Sequence, residues 1–203
     1  MPAIGITGGI STGKSTFCDC LRELLPRANF FDADLAARSV AELPEVKGEI
    51  CGQFGNAVFS ASGDLNRAKL RAIVFGNATK RRALEQILHP RIRRQWMAQA
   101  EKYRNSPDFF FADIPLLYET GGEEWCEGVV VVACSRKVQF DRLAKRRSLK
   151  DSEAEQMINS QMDLDEKIKR ADHVVWNNGD RATLMKQAKS LVAFWQEQSW
   201  KKS

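Results

Sequence analysis

Ile4-Gly5-Ile6-Thr7-Gly8-Gly9-Ile10-Ser11-Thr12-Gly13-Lys14-Ser15 is the stretch that decides the fold of this chain. Its second part matches G-x-x-x-x-G-K-[ST] at every fixed position. With glycine at roughly 7% of residues in ordinary proteins, a chance match in a chain of this size is on the order of one in a hundred. The flanks narrow it further. An apolar run enters the motif, and Phe17, Leu21, Leu24 and Leu25 follow at the spacing of one helix face over about 15–25. A strand, a glycine-rich loop and a helix in this order make an anion cradle. Glycines let the backbone curl until successive N–H groups converge on phosphate oxygens, and the helix adds the positive end of its dipole. Lys14 then reaches the β- and γ-phosphates, and the Ser15 hydroxyl can hold Mg2+. Gly9, Ile10, Ser11, Thr12, Gly13, Lys14, Ser15 and Thr16 are therefore the expected nucleotide-binding residues. ATP is favoured over GTP, because Asn177-Asn178-Gly179-Asp180 is the nearest approach to an Asn-Lys-x-Asp guanine reader and lacks the lysine.

Downstream, Phe30-Phe31 reads as a second strand ending at Asp32, with a helix over about 35–41 and Pro44 punctuating it. Phe109-Phe110-Phe111-Ala112 and Val129-Val130-Val131-Val132-Ala133 are continuous apolar runs, the pattern of strands buried on both faces of a parallel sheet. Val174-Val175-Trp176 supplies one more strand before the turn at 177–180. Helices are expected over 138–147, from a Ser152/Glu155 capping box onward, and along the stripe Leu184, Ala188, Leu191, Val192 and Trp195. Strands alternating with helices predict an α/β, doubly wound P-loop NTPase fold, a parallel sheet of about five strands wrapped by helices. From about 45 to 105 no strand is expected. Helical segments there are separated by Gly52, Gly55, Gly63, Gly76 and Pro90, and one carries the face Ile92, Trp96, Ala100 and Tyr103. The expected organisation is a single domain over 1–203. Its core is 1–44, 106–138 and 171–203, with a helical substrate-binding insertion at 45–105 and a helical lid at 139–170.

Composition bounds the alternatives. The chain has 203 residues, 43% of them hydrophobic, with no apolar run near the roughly 20 residues of a membrane span. The N-terminal residues carry no basic segment or cleavage pattern of a secretory signal. Cys18, Cys20, Cys51, Cys126 and Cys134 are odd in number and scattered, which reads as free thiols in a reducing compartment, the cytoplasm. Net charge is +5, with basic clusters at 67–71, 80–82, 91–94 and 142–147. A nucleic acid or a polyanionic small substrate would each suit that charge. No like-charge tail forms and no aromatic residues interleave with the clusters, so no nucleic-acid partner and no membrane partner is expected.

Asp32-Ala33-Asp34 with Arg38 after it, together with the opening Thr7-Gly8-Gly9-Ile10, resembles the dephospho-CoA kinase family. Further matches follow in the family's order: Gly63-Asp64-Leu65-Asn66-Arg67, Leu88-His89-Pro90, and Pro115-Leu116-Leu117-Tyr118-Glu119. Gln139, Arg142, Leu143 and Arg146 come next, then Ser160-Gln161-Met162, Lys167, Ala171-Asp172 and Asn177-Asn178-Gly179. The resemblance covers nearly the whole chain. It departs at Ser11, where the family usually has Gly, with Thr12 for Ser; at Met157, where many members carry Arg; and at Trp176, in place of a frequent Asp. It implies phosphorylation of the ribose 3′-hydroxyl of dephospho-CoA by ATP with Mg2+, giving coenzyme A and ADP, the last step of coenzyme A biosynthesis.

Such an acceptor needs a group to take the hydroxyl proton, and an acidic residue at a strand end beside the loop suits that work. Asp34 is the candidate base, with helix capping or a pair to Arg38 as the structural alternative. Asp32 is expected to act on Mg2+ through water. Asp113, ending an apolar strand, is expected near the metal, the alternative being solvation at a strand terminus. Arg142 and Arg146, four residues apart, are expected to bring guanidinium groups to the phosphates as a lid closes, the alternative being a solvated basic face. The catalytic set is thus Lys14, Asp34 and Arg142, and Asn177 joins the nucleotide set with Arg142 and Arg146. Asp32, Asp34, Arg38, Arg67 and His89 form the acceptor set, and Ser15, Asp32 and Asp113 the metal set. His89 before Pro90 also reads as a feature of a helix start. Two other readings compete. One is a P-loop kinase of a nucleotide, sugar or shikimate-like alcohol; the other is a nucleotide-regulated module docking on RNA or DNA.

Overall fold

The computed structural model describes residues 3–75, 77–147 and 151–197, the side chains at 146 and 147 excepted. β1 (Ala3–Gly8) is buried along its whole length. Helices α1 (Lys14–Leu24), α2 (Ala33–Val40), α3 (Pro44–Phe54), α4 (Arg67–Val74) and α5 (Ala78–Tyr103) follow, with β2 (Asn29–Asp32) between the first two. β3 (Phe110–Asp113) and β4 (Gly128–Ala133) come next, then α6 (Arg136–Arg147), α7 (Asp151–Asn159) and α8 (Leu164–Arg170). β5 (His173–Trp176) and α9 (Arg181–Glu197) complete the order. The strands form one five-stranded parallel sheet in the order β2-β3-β1-β4-β5. β1 pairs in parallel with both neighbours, Ile4 opposite Phe111 and Gly128, and Ile6 opposite Asp113 and Val130. This is the α/β architecture expected from the apolar runs.

The chain divides into two compact units, Met1–Phe31 with Gln99–Ser203, and Asp32–Ala98. In the first, β1, β3 and β4 are buried at every position, as two covered faces require. The two-residue alternation of strands sorts their side chains. Ile4, Ile6, Phe111, Val130, Val132 and Val175 pack with Phe17 and Leu21 of α1 and with Leu184, Ala188, Val192 and Trp195 of α9. The Trp195 ring lies 5.7 Å from that of Phe111 and 6.2 Å from that of Phe109. The apolar stripes read for α1 and α9 are therefore core stripes.

The second unit has its own core of Val40, Val46, Ile50, Val58, Leu65 and Leu70, with Leu84, Ile87, Leu88 and Ile92 packed against it. Among its described residues the sole extended pairing is an isolated bridge between Phe59 and Leu65. Two of the expected helix breaks do not break. Gly52 lies inside α3, and Pro90 lies inside the 26-residue α5. A proline removes one backbone donor from a helix and crowds the preceding turn. Here the lost donor is the one that would serve the Gln86 carbonyl; the helix continues past it, with the Arg91 guanidinium bonded to the Ile87 carbonyl at 2.7 Å and paired with Glu49 at 2.6 Å. His89 accordingly sits in mid-helix, not at a helix start. Gly76 lies outside the described residues. Nor does Ser152 cap α7: it lies within that helix, and Glu155 accepts from Arg136 at 3.0 Å instead. No helix of the described residues is long and apolar enough to cross a membrane.

Candidate active site

The phosphate-loop sequence falls between β1 and α1, at the C-terminal end of the central strand. Gly13, just before α1, has φ 93°, and a Cβ there would lie 2.0 Å from the Asn177 amide nitrogen. Only glycine meets both demands. Ser11 is also left-handed, at φ 57°, which explains why glycine is the relaxed choice at that position.

The loop is held by its carbonyls. Gln139 Nε2 donates to Ile10 O at 2.8 Å, and Asn177 Nδ2 to Thr12 O at 2.8 Å. Arg142 donates to Thr12 O at 3.0 Å, Ser11 O at 3.4 Å and Asn177 O at 2.8 Å. Arg142 is thus not on a solvated face. Its guanidinium ties the loop to the end of β5. Gln139 and Asn177 are buried polar residues for the same reason. Arg146 lies outside the described side chains.

Lys14, the first residue of α1, forms an ion pair with Asp113 at the end of β3. Asp113 is 5% exposed, so the alternative of a solvated strand terminus is set aside. Its other oxygen accepts from the Cys18 thiol at 3.4 Å. Burial first, and then the Asp113 charge, pushes the Cys18 thiol far up, so it stays protonated and a donor. Lys167 of α8, 0% exposed, donates to Pro115 O at 2.9 Å and Gly8 O at 3.5 Å and pairs with Glu119 at 2.9 Å. Burial draws its ammonium below the ordinary lysine range, and Glu119 opposes that.

The second unit carries the remaining candidates. Asp32 is the N-cap of α2, accepting from Leu35 N at 2.9 Å, and Asp34 lies in the first turn. The cap expected as an alternative for Asp34 therefore belongs to Asp32. Arg67 opens α4 and donates to Arg38 O at 3.1 Å and to Glu42 at 2.8 Å. The bonds from Arg67 and Lys47 hold the Glu42 carboxyl below its usual range. His89 is half-buried, and burial lowers its imidazole below the ordinary value against the pull of Glu85.

Thr7, Gln139 and Lys167 stand in the motif series without a chemical role; the Thr7 hydroxyl donates to Pro115 O at 2.9 Å. Lys167 sits in a run of charged residues, Asp165-Glu166-Lys167 and Lys169-Arg170, where nothing in the pattern marks one lysine as buried.

Sheet order and loop together place the chain among the P-loop kinases. A solved shikimate kinase from Acinetobacter baumannii shares this fold over 99% of this chain and 96% of its own, with a TM-score of 0.54 and 16% identity. Sequence supplies the family. The dephospho-CoA kinase model matches residues 2–183. The dephospho-CoA kinase of Geobacillus kaustophilus is 40% identical over 195 residues, 95% of this chain and 96% of that protein. The solved dephospho-CoA kinase of Campylobacter jejuni is 25% identical, with a TM-score of 0.72 over 96% of this chain and 97% of that one. The chain belongs to the dephospho-CoA kinase family. It is an ATP-dependent phosphotransferase with dephospho-CoA as acceptor, which sets aside kinases of other alcohols.

Proposed function

We propose that the phosphoryl group moves from ATP to the ribose 3′-hydroxyl of dephospho-CoA through a nucleotide set and an acceptor set of residues. The observation that carries this reading is the Lys14–Asp113 pair. The helix that follows β1 and the end of its parallel neighbour β3 deliver a cation and a carboxylate, 99 residues apart in sequence, to the C-terminal ends of the strands. Ligands of parallel α/β sheets bind outside the carboxyl ends of the strands. In the nucleotide set, the amides of residues 9–16 cradle the phosphates while Gln139, Arg142 and Asn177 keep the carbonyls of Ile10, Ser11 and Thr12 engaged. Lys14 turns from Asp113 to the β- and γ-phosphates and carries positive charge to where negative charge gathers. Arg142 acts on the loop's shape.

Ser15 and Asp113 would hold Mg2+. The fit rests on Asp113, a buried carboxylate that needs a cation once Lys14 has turned to the phosphates. When bound, the ion neutralises charge on the β- and γ-oxygens.

In the acceptor set, Asp34 takes the proton of the attacking hydroxyl, and Asp32 fixes the first turn of α2 through its cap. Arg38 and Arg67, with His89, serve the acceptor's anionic groups. We take 45–105 as the acceptor-binding insertion and 139–170 as the lid region, in an enzyme of the cytoplasm.

The test is ADP release with Mg2+ and ATP, with and without dephospho-CoA, beside shikimate and nucleoside monophosphates. The expected result is stimulation by dephospho-CoA with coenzyme A as product, loss of turnover in Lys14→Ala, and dependence on added Mg2+. Turnover that survives Lys14→Ala would overturn the assignment of the nucleotide site.

A further inference from the structure

Lys167 has no part in the chemistry described so far, yet it is among the largest fully buried side chains of the protein. Burying an ammonium is costly unless it is paired and each of its protons finds an acceptor. Lys167 has three donors, and three acceptors surround it: Pro115 O at 2.9 Å, Gly8 O at 3.5 Å and Glu119 Oε1 at 2.9 Å. A methionine would fill a similar volume without that desolvation cost, so packing alone does not account for a charge here.

What the charge joins is specific. Gly8 ends β1 and opens the phosphate loop. Pro115 stands two residues beyond Asp113, the last residue of β3. One cation therefore ties together the ends of the two strands that present Lys14 and Asp113. The Thr7 hydroxyl donates to the same Pro115 carbonyl, and Ile114 N donates to Ile6 O at 3.0 Å, so the two strand ends are laced up to the point where the lysine takes over. On its far side Glu119 Oε1 also accepts from Met162 N at 2.9 Å, which fixes the chain just before α8. Full burial keeps Lys167 from touching a substrate, so its effect must pass through the backbone it holds.

We infer that Lys167 is a positioning residue for phosphoryl transfer, setting the spacing between the phosphate loop and Asp113 so that Lys14 and Asp113 meet the nucleotide together. This rests on the assignment of Lys14 and Asp113 to the nucleotide site.

The experiment is steady-state kinetics of the full chain carrying Lys167→Met or Glu119→Gln, with thermal melts of each with and without ADP. Displacing a reacting group by a fraction of an ångström to 1 Å costs on the order of tenfold to a hundredfold in rate. Lys167→Met is expected to lower kcat by about that factor and to raise KM for ATP at least about fivefold, leaving KM for dephospho-CoA within about twofold. A role in folding alone would lower kcat in proportion to the inactive fraction and leave both KM values unchanged. Glu119→Gln keeps an acceptor oxygen and removes only the charge, and is expected to raise KM for ATP about two- to threefold. A folded Lys167→Met protein with kcat and KM for ATP within about twofold of the parent overturns the inference. If that variant does not fold, Glu119→Gln decides, and an unchanged KM for ATP overturns it. Lys14→Met, assayed alongside, tests the underlying site by itself: retained turnover there defeats the nucleotide-site assignment whatever Lys167→Met does.

Discussion

Replacing Gly13 by alanine sets one methyl group against the Asn177 side chain. At φ 93° an L-residue costs about 1–2 kcal/mol. The added Cβ would stand 2.0 Å from Asn177 Nδ2, so the amide must swing away. It cannot do so without leaving Thr12 O, to which it donates at 2.8 Å, a bond worth about 0.5–1.5 kcal/mol net. Gly13→Ala should therefore destabilise the free protein by about 2–3 kcal/mol. Asn177→Ala should cost about 1 kcal/mol, because Thr12 O keeps Arg142 at 3.0 Å and is not left unpaired. In the double variant the bond is lost once, and the methyl group has room. Its cost should stay at about 2–3 kcal/mol where simple addition gives about 3–4, a coupling of about 1 kcal/mol. Urea unfolding of the four proteins without nucleotide reads that coupling directly. Additivity within about 0.3 kcal/mol would refute the claim that Asn177 is what the glycine makes room for.

Asp34→Asn should lower kcat by roughly 10²–10⁴-fold with KM for ATP unchanged, and a loss below about tenfold removes Asp34 from the role of base. His89 gives a pH dependence. Burial keeps its folded imidazole below the ordinary 6.5, so below that pH the unfolded chain takes up the proton first. Stability from this group is complete above about pH 6.5 and is lost as the pH falls, and His89→Gln should flatten that decline in urea midpoints measured from about pH 7.5 to 5.5. Trp195→Ala empties a site that is 1% exposed, against Phe109 and Phe111, and should cost about 3–5 kcal/mol in the same unfolding assay.

The central strands were legible because a strand covered on both faces has no polar position to blur it: Val129 to Val132 and Phe109 to Phe111 can do little else. The phosphate loop was legible because its chemistry fixes residue types at fixed spacing. The helix boundaries were not. α2 begins at Ala33, two residues earlier than its apolar pattern suggests, and that offset decides which carboxylate caps it, Asp32 rather than Asp34. Pro90 misled for a physical reason. A proline forbids one hydrogen bond, here to the Gln86 carbonyl, and a 26-residue helix whose face packs on the core of its unit continues past that single loss. Least legible were the polar residues that hold backbone. Gln139, Asn177 and Lys167, all buried, and the half-buried Arg142 are where they are because particular backbone oxygens need donors, a demand that has no period along the chain.

That demand also says how the cradle is made. The donors to Ile10 O and Thr12 O lie 129, 130 and 165 residues beyond the carbonyls they serve. They come from α6 and from the residue after β5, while the lysine that holds Gly8 O comes from α8. The loop sequence by itself supplies glycines, a left-handed serine and a cation; its fixed shape is a property of the completed sheet. Electrostatic catalysis depends on dipoles that do not have to reorganise during the reaction, and amides are held still only if the carbonyls attached to them are held. A change at Gln139 of α6 or Lys167 of α8 should therefore reach nucleotide affinity without touching any group assigned to the nucleotide. By the same reasoning Gly13, whose place is set by Asn177, matters as much for the donors behind the loop as for the phosphates in front of it.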